Sequence, residues 1–125
     1  MNTIQESVEA RRKALPSLNL PAGSARLWGI ALSGGGIRSA TFCFGLLRAL
    51  ARRQLLLRFD LLSTVSGGGY IGSTLGRLFS RAKSEADAMA IENAFGDAGS
   101  RWFAWWLRAN GGYLVPRGVK GRTFA

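Results

Sequence analysis

Ser66 lies between an apolar run, Arg58 to Val65 (R-F-D-L-L-S-T-V), and three glycines, Gly67, Gly68 and Gly69. A serine held at a sharp strand-to-helix turn, with a small residue after it, points its Oγ out of the sheet. The N–H groups that open the helix then face the same spot and can hold an oxyanion. Ser66 reads as the nucleophile of such a turn, and Val65, Gly67 and Gly68 as its elbow. The same serine also reads as the N-cap of the following helix. Earlier in the chain Gly34, Gly35 and Gly36 run into Ile37 and Arg38. Glycines allow positive φ and close approach of a ligand. A helix start adds unpaired N–H groups and partial positive charge, which suits an oxyanion or a phosphate. The plain alternative is a tight turn with packing needs only. Taken together, one loop offers a nucleophile and the other offers oxyanion donors.

A serine nucleophile needs a base. The chain has no histidine, which excludes a Ser-His-Asp triad and a His-ligated zinc site. A carboxylate or a lysine is left for that role. The lone Cys43 excludes a disulfide framework and a thiolate cage. It falls on an apolar helix face and reads as core. Gly67 to Gly72 also spell G-x-G-x-x-G after a strand. No acid closes a second strand at the distance a dinucleotide site wants, so this reading is weak. No lysine follows a glycine in the frame of a P-loop.

Two elements must position each loop. Arg26 to Ser33 has an almost continuously apolar interior and reads as a strand covered on both faces, and Arg58 to Val65 reads as the second strand. Residues 37–53 and 70–81 carry apolar residues at helical spacing. Strand, glycine turn and helix, repeated, form a βαβα unit with parallel strands and a right-handed crossover. Both glycine turns then lie at the carboxyl ends of the strands, where sites form in open α/β sheets. Residues 84–96 read as a further helix and 101–108 as a short aromatic one. Residues 1–22 form a helical lead-in, broken by Pro16, Pro21 and Gly23, and residues 23–125 form the α/β part.

On these motifs the stretch Gly29 to Gly76 resembles the patatin-like phospholipases. Gly34-Gly35-Gly36-Ile37-Arg38-Ser39 is similar to that family's G-G-G-x-R-G oxyanion segment. Ser66 falls where its G-x-S-x-G nucleophile falls, one βα unit later. Arg108 to Pro116 is similar to a segment of larger bacterial members. The resemblance implies a partial three-layer α/β sandwich and hydrolysis of lipid or phospholipid acyl esters through a Ser-Asp dyad. It implies no metal or organic cofactor. It makes Gly34, Gly35 and Gly36 the oxyanion donors and gives Arg38 a loop-shaping role. Three positions depart from the family pattern. Thr64 takes the first glycine of the nucleophile motif, Ser39 takes the last glycine of the oxyanion segment, and Ser33 stands where many members have Asp.

The family's D-G-G or D-G-A acid lies far beyond its serine. The expectation is therefore an N-terminal portion of the domain, weakly active or inactive alone, with its base outside the chain. Asp97-Ala98-Gly99 is a superficial match and comes too soon after Ser66. Asp60 is six residues before Ser66, about 20 Å along an extended strand, too far for proton transfer. It is expected to orient a loop or cap the preceding turn.

Lys and Arg number 17 against 7 acids, a net charge of +10, which favours anionic surfaces or reflects an Arg-rich coding bias. The basic residues are scattered, so nucleic acid is not favoured. Trp102, Phe103, Trp105 and Trp106, flanked by Arg101 and Arg108, suit a membrane interface or an aromatic packing face. No apolar run is long enough for a simple spanning helix, and the N-terminus lacks the apolar core of a secretory signal. The expected place is the cytoplasm or the cytoplasmic face of a membrane. The alternative function is a non-catalytic module that binds anionic lipid or phosphate.

Overall fold

The structure, a computed structural model, describes residues 3–21 and 26–97. Helix α1 (Ile4–Lys13) opens on a capping box. The Thr3 hydroxyl accepts from the Glu6 N–H at 3.2 Å, and the Glu6 carboxylate accepts from the Thr3 N–H at 2.8 Å. Arg11, Arg12 and Lys13 fill its last turn, where positive charge suits the helix dipole. A 3₁₀ turn at Pro16–Leu18 follows and ends on Asn19 with φ 48°.

Strand β1 (Gly29–Leu32), helix α2 (Gly36–Arg52), strand β2 (Leu61–Thr64) and helix α3 (Ser66–Phe79) form the βαβα unit. The strands pair in parallel, from Gly29 opposite Leu61 to Leu32 opposite Thr64. Helix α4 (Glu85–Gly96) closes the described part, its first turn capped by the Ser84 hydroxyl on the Asp87 N–H. The chain is thus α/β, as its patterning predicts. A core of Leu32, Phe44, Leu47, Leu56, Ile71, Leu75 and Phe95, with Cys43 among them, joins β1 to α2, α3 and α4. The Phe44 and Phe95 rings meet edge to face at 5.6 Å.

The elements depart from the sequence reading in two ways. Each strand has four residues, about half the apolar run that predicts it. Arg58, the first residue of the second run, closes a 3₁₀ turn at Leu56–Arg58 instead of opening β2. Cover is also incomplete: Leu32 is buried, but Leu61 and Leu62 remain 38% and 40% exposed. Two strands are described, and their apolar runs are suited to a wider sheet with helices on both faces. The second difference is the start of α3. Its glycines lie inside the first turn, not before it, so the helix begins at Ser66 rather than Tyr70. Glycine weakens a helix, but here the packing of that turn overrides propensity.

Helix α1 is held by Arg12, which is 8% exposed. Its Nε donates to Asp60 Oδ1 at 2.9 Å and its Nη2 to Asp60 Oδ2 at 2.7 Å. Further donations reach the carbonyls of Pro21 and Arg26. Asp60 also accepts from the Trp28 N–H at 2.9 Å, which fixes the entry to β1. The Arg12 guanidinium is the main reason that the Asp60 carboxyl titrates below its ordinary range.

Candidate active site

Both glycine loops emerge at the carboxyl ends of the paired strands and meet. Val65, with φ −137° and ψ 145°, is the N-cap of α3, and Ser66 is its first residue. Ser66 is therefore not the cap. Its backbone has φ 50°, in the left-handed region that a residue with a Cβ occupies at a cost of about 1–2 kcal/mol. Strain of this kind is expected where a fold forces a side chain outward. Ser66 is exposed, and its hydroxyl forms no hydrogen bond among the described residues.

The glycines have separate jobs. Gly35 and Gly36 have φ 143° and 65°, and so turn the chain from β1 into α2. Gly34 supplies space: a Cβ on it would come within 3.0 Å of the Ser66 Cβ. A Cβ on Gly67 would lie 2.1 Å from the Gly36 carbonyl oxygen, and one on Gly68 2.6 Å from the Leu32 oxygen. The two loops are thus pressed together by positions that admit no side chain. No backbone acceptor among the described residues takes the N–H groups of Gly34, Gly35, Gly67 or Gly68. Ser39 pins the first loop, its Oγ donating to the Ser33 carbonyl at 2.5 Å. Arg38 is exposed on the first turn of α2, with no side-chain hydrogen bond among the described residues.

Thr64 does not force the elbow open. Its side chain leans over α3, where a Cβ on Gly72 would fall 2.5 Å from its Cγ2. Gly72 makes the room that a glycine at 64 would otherwise give. Beside Ser66 lies a shallow depression of about 400 Å³ lined by Ser66, Gly69, Tyr70, Ser73, Thr74 and Arg77. The sequence reading gives none of these but Ser66 a part in acyl transfer. The signal was available, because positions 66, 69, 70, 73 and 77 share one face of a helix.

The chain's seven carboxylates all fall at described positions. Glu6 and Glu9 lie on α1, and Asp60 is committed to Arg12 and Trp28. Glu85 and Asp87 lie in the first turn of α4. Glu92 is 2% exposed and accepts from the Leu57 N–H at 3.2 Å; burial pushes its carboxyl above the usual range. Asp97 follows Gly96, which packs on Ala51 and Arg52 at the far end of α2. Sixteen residues of helix separate that contact from Gly36, about 24 Å. No carboxylate lines the depression at Ser66. One S-x-x-K spacing, Ser80 to Lys83, lies outside the glycine loops. Ser80 caps α3 with its Oγ donating to the Arg77 carbonyl at 2.8 Å.

The sequence model of the patatin-like phospholipase family matches residues 30–124. The chain belongs to that family. No curated protein and no solved structure matches it. Membership in the patatin-like phospholipases points to lipid acyl-ester hydrolysis in general and to lipid as the substrate class. Both glycine loops and Ser66 lie within the matched residues, and α1 with Arg12 lies before them. No helix among the described residues is long and apolar enough to cross a membrane. The aromatic cluster at Trp102, Trp105 and Trp106, and the segment from Arg108 to Pro116, lie outside the described residues.

Proposed function

We propose that this chain carries the nucleophile and oxyanion loops of a serine-dependent lipid acyl hydrolase. The observation that carries the reading is Ser66 at φ 50°, exposed, with Gly34 packed against its Cβ. In this reaction Ser66 Oγ attacks the ester carbonyl carbon and gives up its proton to a base. The carbonyl oxygen becomes an oxyanion, held by N–H groups of Gly34 to Gly36 and of Gly67. The carbon–oxygen bond to the alcohol breaks, and the alcohol leaves with a proton. Water then attacks the acyl-serine, releasing a fatty acid and restoring Ser66. The Ser-Asp form of the dyad needs an aspartate at the Ser66 hydroxyl, and the carboxylates placed above are all engaged or distant. The 125-residue chain is therefore expected to acylate slowly and to turn over little. That same absence supports a second reading, a module that binds anionic lipid without chemistry.

A fluorophosphonate probe separates the two readings. Intact mass should show one adduct per chain, absent in Ser66→Ala. Adduct formation in both proteins, or in neither, would overturn the nucleophile assignment and leave the binding module.

A further inference from the structure

The depression beside Ser66 has a direction. It follows α3 from Ser66 and Tyr70 past Ser73 to Arg77. Eleven residues make three turns of helix with about 20° left over, so Ser66 and Arg77 stand on one line of the surface. At about 1.5 Å per residue their Cα atoms are about 16 Å apart. An arginine side chain reaches about 6 Å and on a helix leans toward the N-terminus, which brings the guanidinium to roughly 10 Å from Ser66.

Among the described residues, Arg77 is the one charged group that lines the depression. It is exposed and forms no ion pair among the described residues. Helix α3 carries no acid. None occurs anywhere from residue 61 to residue 84, while Arg77, Arg81 and Lys83 place three positive charges there. A cation in the last turn of α3 suits the helix dipole. Any position of that turn serves the dipole, but position 77 also continues the line from the serine.

We propose that Arg77 is a specificity-determining residue of this site and selects esters that carry a phosphate over neutral glycerides. The inference rests on the acyl-hydrolase reading of Ser66. In a glycerophospholipid five or six single bonds separate the ester carbonyl carbon from phosphorus. That is about 6–7 Å when extended, and a hydrogen bond of about 3 Å closes the remainder of the 10 Å. With the carbonyl at Ser66, the phosphate comes to the guanidinium, whose planar edge offers two N–H groups to two phosphate oxygens. A neutral glyceride brings a hydroxyl or a further ester to the same place and leaves the charge without an anion.

The test is calorimetric titration of the 125-residue chain with dihexanoyl phosphatidate and with dihexanoylglycerol, both below their micelle concentrations. The phosphatidate should bind about fivefold tighter, the worth of a bidentate ion pair open to solvent. Arg77→Gln should remove that preference, and Arg77→Lys should keep part of it. Arg81→Gln removes an equal charge from an exposed position outside the depression and should keep all of it. Glycerol 3-phosphate, which carries the anion without acyl chains, should bind more weakly than the phosphatidate. Saturating phosphatidate should also slow fluorophosphonate labelling of Ser66. Equal binding of the two lipids, a preference that survives Arg77→Gln or falls equally in Arg81→Gln, glycerol 3-phosphate as tight as the phosphatidate, or labelling unslowed by saturating phosphatidate would each overturn the proposal. Failure of the hydrolase reading shows elsewhere, as an absence of labelling before any lipid is added, and the titrations decide Arg77 in either case.

Discussion

Gly67→Ala and Gly76→Ala make the same chemical change in the same helix and should move stability in opposite directions. Alanine is the better helix former by about 1 kcal/mol. At Gly76 the new methyl meets open space, so that gain should appear in full. At Gly67 it would lie 2.1 Å from the Gly36 oxygen and 3.0 Å from the Gly36 carbonyl carbon. A carbon–oxygen contact needs about 3.3 Å. The start of α3 must therefore retreat from the Gly36 loop by roughly 1.2 Å, and both partners are backbone, with no side chain to swing away. Overpacking of this kind costs about 1–3 kcal/mol. At the upper end it leaves a net loss of about 2 kcal/mol after the helix gain. The two variants should then differ by about 3 kcal/mol, a gap of roughly 12 °C in melting temperature. The retreat also separates Ser66 from the oxyanion loop, and a displacement near 1 Å costs on the order of 100-fold in rate. Thermal melts and fluorophosphonate labelling rates measure both effects. Gly67→Ala melting within a few degrees of Gly76→Ala, or labelling at the wild-type rate, would refute the claim that this contact sets the site.

Ser66→Gly should melt above Ser66→Ala by about 0.5–1 kcal/mol, because glycine releases the positive-φ strain and returns only part of it as chain entropy. Equal melting temperatures would mean that the backbone at 66 is not strained. Asp60 is held below its ordinary value of 3.8, so its contribution is complete above that value and is lost as pH falls through the lowered one. Asp60→Asn should therefore lower the melting temperature at neutral pH and flatten its fall in acid; an unchanged acid limb would clear Asp60 of that role. Glu92 is shifted the other way, so its stabilisation is full below 4.5 and is lost as pH rises through the raised value. Glu92→Gln keeps an acceptor for the Leu57 N–H and should melt higher than wild type at neutral pH. A lower melt would show that the buried charge helps.

The order of elements and the pairing of the two loops are legible in the sequence because their signals are local. An apolar run, a glycine cluster and a helical period each span a few residues. Ser66 at the strand-to-helix junction is legible for the same reason. The purpose of each glycine is not. Sequence suggests conformational freedom for all six, but only Gly35 and Gly36 use positive φ, while Gly34, Gly67 and Gly68 yield space to backbone or to Ser66. Space is a property of what lies opposite, which a linear reading does not contain. The tolerance of Thr64 depends in the same way on Gly72, a turn and a half of helix further on. Arg12 and Asp60 are 48 residues apart, and nothing near either one names the other. The expectation that Asp60 orients a loop identifies its role through Trp28 but not its partner.

That separation also orders events during synthesis. The Thr3–Glu6 box needs only its own turn, and the bonds from Arg12 to Pro21 and Arg26 span 9 and 14 residues. Asp60 follows 48 residues after Arg12, roughly 2–10 seconds later at ordinary translation rates. For that interval Arg12 has its two carbonyl acceptors on the chain already made, but not the carboxylate that ties it to the entry of β1. Until Asp60 emerges from the ribosome, the segment that becomes α1 has nothing to fasten it to the sheet.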